Sequence, residues 1–161
     1  MKTNLKKSVL WIVSAVLFCS FSSPTITYAS TQMQVLSKEV TYLDDGTYFE
    51  TIIYENDGPS TRASKTKTGT KKTTYSADGK DLWYVSITGT FSYTGSSSKC
   101  TSAKVKAESY NQYWKISNKS SSYSGNTATG KATAKLYYGP LPAATVNESV
   151  VLHCDSNGNL S

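Results

Sequence analysis

Three kinds of side chain in this sequence come in arrangements that could do chemistry: a cysteine pair, a run of closely spaced lysines, and doublets of aromatic rings. Cys100 and Cys154 are 54 positions apart, and His153 directly precedes the second. A thiol beside an imidazole is the composition of a nucleophilic pair. Neighbours in a strand point to opposite faces, however, so this pair is badly aimed for proton transfer. In an oxidising compartment the two thiols are expected to form one structural disulfide instead. Closing a loop of that length constrains the unfolded chain by roughly 4 kcal/mol.

The lysines raise a different chemistry. Arg62, Lys65, Lys67, Lys71 and Lys72 crowd a polar stretch, and in an extended strand Lys65, Lys67 and Lys71 point one way while Thr66, Thr68 and Thr70 point the other. A strand polar on both faces reads as an edge protected by lysines. The competing reading is a strip for an anionic ligand. Trp83-Tyr84, Tyr113-Trp114 and Tyr137-Tyr138 each place one ring on each side of the chain, which offers Tyr84, Tyr113 and Tyr137 as partly exposed rings. Such rings stack on sugars or anchor a protein interface, and they also occur on sandwich surfaces that bind nothing.

Other chemistry is short of parts. A single histidine cannot build a multi-histidine metal site. The carboxylates are few, and glycosidase chemistry would need two of them brought together from distant positions. Ser96-Ser97-Ser98-Lys99 matches the S-x-x-K nucleophile pattern but falls in a polar turn, not on the helix that pattern requires. Asp155-Ser156-Asn157-Gly158-Asn159 echoes a calcium loop, yet no closing Glu follows, and it reads as a frayed polar tail. No catalytic residue, metal site or cofactor is expected.

The elements that must position these groups are strands. No window keeps helical spacing, whereas Trp83, Val85, Ile87, Phe91 and Tyr93 alternate with serines and threonines, the pattern of a half-buried strand. Gly89 interrupts that row, marking a bulge or a place where a large neighbour needs room. Further strands run over Val35 to Leu43, Thr47 to Glu55, Ala63 to Tyr75 and Cys100 to Tyr110, then around Trp114, over Ala128 to Tyr138 and over Val146 to Cys154. Asp44-Asp45-Gly46 and Asp78-Gly79-Lys80 supply tight turns. About eight short strands without crossovers predict an all-β antiparallel sandwich. The Cys100, Trp114, Cys154 order makes it loosely immunoglobulin-like, although Leu152 stands where such a domain would place a tyrosine.

The N-terminus reads as an export signal. Lys2, Lys6 and Lys7 precede an apolar run of about 11 residues from Val9 to Cys19, and Thr27-Tyr28-Ala29 offers a cleavage point after Ala29. That run is too short for a membrane span. Phe18 before Cys19 speaks against lipid attachment. Cleavage leaves 132 residues, enough for one domain, and lowers the formal charge from +6 to +3. Residues 30–60 then form an acidic N-terminal hairpin region packed on the body, and residues 61–161 a basic sandwich body with one disulfide. The basic share is either a plain counterpart to the hairpin or a face for anionic envelope polymers.

Taken in order, Thr61 to Thr68, Leu82-Trp83, Thr88 to Tyr93, Ser98 to Ser102, Trp114-Lys115-Ile116, Ser124 to Ala128 and Val150 to Gly158 resemble a family of small secreted proteins of uncharacterised function from Gram-positive, clostridia-type bacteria. The resemblance covers nearly all of the mature domain. It implies export and a disulfide, and lends no activity. The expectation is therefore a secreted, extracellular, non-enzymatic domain that binds a protein, a glycan or an anionic component of a cell envelope, with no nucleic-acid partner. The competing expectations are a bacteriocin-like or protective factor and a minor hydrolase.

Overall fold

The computed structural model describes residues 33–56 and 65–161; the signal-peptide reading, over 1–29, and Arg62 lie outside the described residues. The chain forms β1 (Met33–Tyr42), β2 (Tyr48–Asn56), β3 (Lys65–Ala77), β4 (Lys80–Tyr93), β5 (Ser98–Ser109), β6 (Trp114–Ser124), β7 (Thr127–Tyr137) and β8 (Pro142–His153). Both short turns read from sequence are present. Gly46 takes a φ of 81°, while Asp78 and Gly79 take 51° and 71°. Positive φ at both central residues of a two-residue loop matches the twist of the flanking strands, and glycine adopts it without steric cost.

Two antiparallel sheets result, β1-β2-β3-β4-β5 and β6-β7-β8. The fold is the all-β sandwich that the alternation predicts. Its likeness to an immunoglobulin domain is one of layers and strand number, since within each sheet the strands follow chain order. The small sheet packs over β3, β4 and β5 and does not reach β1 or β2. The acidic hairpin consequently joins the body edge-on, through β2–β3 hydrogen bonds.

The core is built around β4. Trp83, Val85, Ile87 and Phe91 have no exposed surface and face Ala128, Ala132 and Ala134 of β7 with Val150 and Leu152 of β8. Large residues on one sheet meet small ones on the other, which lets the layers close. At Gly130 an added Cβ would stand 3.0 Å from the Cβ of Ile87. At Gly89 it would meet the Phe91 ring at 2.7 Å and the Ala128 Cβ at 3.0 Å. The gap in the alternation thus makes room for Phe91. Gly89→Ala is expected to cost ~1–3 kcal/mol through overpacking, read as a lower urea midpoint.

Two sequence expectations are corrected. The lysine-rich strand is not an edge: β3 is third of five, bonded to β2 and β4 along its length. Its polar faces are satisfied internally, by hydroxyl pairs Thr68–Thr90 at 3.2 Å, Thr70–Thr88 at 2.8 Å and Thr51–Thr73 at 3.0 Å. The C-terminal tail is not frayed either. Leu160 lies over Gly69, Ser161 pairs with the backbone of His153, and the Asp155 carboxylate accepts from the Asn157 and Asn159 N–H groups at 2.8 Å each.

Candidate functional site

One end of the sandwich gathers the turns after β1, β3, β5 and β7, and a cleft of about 290 Å³ opens among them. Its floor continues the aromatic core. Trp114 opens β6 and faces inward, 7% exposed, with its ring 5.5 Å from that of Tyr75 and 6.2 Å from that of Trp83. Leu82 and Leu136 extend the apolar lining. The rim is formed by Tyr113 and Tyr138, whose rings are 5.6 Å apart and 46% and 75% exposed.

The loop between β5 and β6 holds this rim in place. Asn111 Oδ1 accepts the Tyr113 N–H at 2.8 Å, and the Tyr137 N–H donates to the Tyr113 carbonyl at 2.8 Å. That geometry fixes the rim ring of one loop to the strand that carries the other. It also leaves the Asn111 amide NH2 beside the cleft for an outside acceptor. No charged side chain lines the cleft. Concave, apolar and bordered by a few polar groups, it has the make-up of a small-ligand site.

The structure separates the sequence candidates. Of Tyr84, Tyr113 and Tyr137, only Tyr113 lines this cleft. Tyr84 is 6% exposed, stacked on Tyr110 at 5.4 Å beneath the Lys72 ammonium and donating to Glu108 Oε2 at 3.0 Å. Burial pushes its phenol pKa up, and the cover of Tyr110 and Lys72 closes the ring off as a stacking platform. Tyr137 is half-buried, with Lys115 Nζ 5.3 Å from its ring centre. Tyr138, the inward doublet member by sequence parity, is the exposed one. It keeps the side of Leu136, with which it lines the cleft, but stands past the end of β7 at Tyr137, at the open mouth.

The lysine strip is likewise redistributed. Lys67 and Lys71 share the inner face of β3 with buried Thr73 and Tyr75, and Lys67 pairs with Glu55 at 2.8 Å. Only Lys65, at the start of the strand, stands exposed. The three do not form a surface strip.

Cys100 and Cys154 are both buried, at the end of the core opposite the aromatic cleft. Their N–H groups bond to the consecutive carbonyls of Gly125 and Asn126, at 2.7 and 3.1 Å. The structure holds them as unbridged thiols. Burial raises both pKa values; the charge of Cys154 raises that of Cys100 further, while Ser98 opposes the rise at Cys154. Raised thiols are poor nucleophiles near neutral pH. His153 turns to the other face, where its Nδ1 meets Thr127 Oγ1 at 2.8 Å. The described residues include no group of three or more His, Cys, Asp and Glu side chains able to hold a metal ion.

Comparison with protein-family models, curated proteins and solved structures returned no match to this chain.

Proposed function

We propose that this chain is an exported, non-enzymatic sandwich that binds a neutral glycan component of a cell envelope in the cleft edged by Tyr113 and Tyr138. The observation that carries the reading is the absence of charge from an aromatic-walled cleft with two exposed rings on its rim. The faces of a sugar ring are apolar and its edges are polar; tyrosine faces match the first, and the Asn111 amide and Thr47 hydroxyl match the second. An anionic ligand would find no counter-charge there.

Export also supports a second part of the reading, that Cys100 and Cys154 are joined in the secreted protein. Two thiols buried in one part of the core are suited to a bridge.

Titration calorimetry with neutral and acidic envelope oligosaccharides tests the glycan reading. Tyr113→Ala and Tyr138→Ala are each expected to weaken neutral-glycan binding by roughly 5- to 30-fold, the cost of removing an anchoring ring. Both rings are exposed, so the urea midpoint stays put. Unchanged affinity in both variants, or capture of a protein in place of any glycan, would overturn the assignment.

A further inference from the structure

Residues directly opposite one another in an antiparallel pair share a face, so the register of the small sheet assigns every outward side chain. Ala128, Gly130, Ala132 and Ala134 of β7 turn inward, which leaves Thr127, Thr129, Lys131, Thr133 and Lys135 facing out. Opposite them lie Lys115, Asn118, Ser120 and Ser122 of β6 and Thr145, Asn147, Ser149 and His153 of β8. Three lysines and a histidine share this face, and no described aspartate or glutamate does.

The outer face of the large sheet, by contrast, carries glutamates among its lysines. On the other surfaces Lys38, Lys67 and Lys106 are paired with Glu50, Glu55 and Glu108. Lys131 and Lys135 make no ion pair with any described residue. Beside Lys131 runs a groove of about 360 Å³, lined by Asn118, Ser120, Thr133, Asn147 and Ser149 and, from the inward register, by Glu148. Thr133 donates to Asn147 Oδ1 at 2.7 Å, which leaves the Asn147 amide NH2 as a donor to the groove. Glu148 is the nearest carboxyl. It pairs with Ala132 on the inward register, where burial pushes its pKa up, and is a single carboxyl against the three lysines of the face.

We propose that the outer face of the small sheet binds an anionic, polyhydroxylated chain laid along β7. Lys131 and Lys135 are four residues apart, about 13 Å at the rise of a strand. Anionic groups recurring along a polymer can meet both, with Lys115 beside the second and hydroxyls and amides contacting the units between. The site is separate from the aromatic cleft and does not depend on it.

The test is retention of the full mature protein on immobilised polymers, with poly(glycerol phosphate) and polygalacturonate as the two anion sources and dextran as the neutral control. Binding to at least one anionic polymer, falling as salt rises, is expected. Whichever polymer retains the protein identifies phosphate or carboxylate as the recognised group. Combined Lys115→Gln, Lys131→Gln and Lys135→Gln is expected to lower affinity roughly 10- to 100-fold. Lys131→Gln alone should show part of that loss, and Lys99→Gln with Lys104→Gln on the large sheet should change it little. Tyr113→Ala should leave it intact, so loss of the neutral-glycan site and loss of this one are told apart. Equal retention on dextran, no loss in the triple variant, an equal loss in the large-sheet variant, or tighter binding of single-stranded DNA than of either polymer would overturn the proposal.

Discussion

Oxidised mature protein carrying Cys100→Ser will unfold with a stability more than about 4 kcal/mol below that of the parent, and reductant alone will lower the parent by about 4 kcal/mol. The magnitude comes from the 54-residue separation of the two cysteines, which a bridge would hold closed in the unfolded chain. The site adds a second cost, since Cys100 is 1% exposed and a serine there buries a hydroxyl. Cys100→Ala separates the two effects: it loses the bridge without burying the hydroxyl, and should prove the milder change. Urea midpoints with and without dithiothreitol measure all four states. A parent whose midpoint ignores reductant has no bridge to lose, and the export reading that placed one there would go with it.

Trp83→Ala is expected to cost ~3–5 kcal/mol, the range for removing a fully buried large ring. The indole is the hub of the aromatic end of the core, with Phe49 at 6.4 Å, Tyr75 at 5.8 Å and Trp114 at 6.2 Å between ring centres. Its loss would undermine the floor of the cleft as well. Trp83→Phe should be far milder than its lost volume suggests. The buried Nε1–H has no hydrogen-bond partner, so phenylalanine removes an unsatisfied donor along with part of the ring. Fluorescence-detected urea unfolding of both variants decides this. If Trp83→Phe costs as much as Trp83→Ala, the unpaired donor is not a liability, and packing alone sets the value of the site.

The strands were legible because burial forces a period of two. Trp83, Val85, Ile87 and Phe91 alternate in sequence, and each has zero exposure in the structure. The Asp-Gly turns were legible because few residues tolerate positive φ. What sequence could not give was which strand is central. Lysine and threonine on β3 look like edge chemistry, and only the pairing with β2 and β4 reveals hydroxyl ladders and a Lys67–Glu55 ion pair. The exposure of Tyr138 was hidden for a similar reason. Its parity with Leu136 holds, but it lies past the end of β7, and one strand read alone does not say where cover stops. The lysines of β7 were missed because their spacing is sparse along the chain. They become a surface only when β6 and β8 add no described carboxylates on either side.

Side-chain size between the facing strands is graded along the core. Gly89 and Gly130 let the two layers approach closely, while toward the cleft the rings of Tyr75 and Trp83 on the large sheet meet Trp114 of the small one. Small residues thus fill the space between the layers at one level, and aromatic rings fill it at the cleft end. Any ligand of the cleft would rest on rings that already belong to the core, so its floor is packed whether or not the cleft is filled.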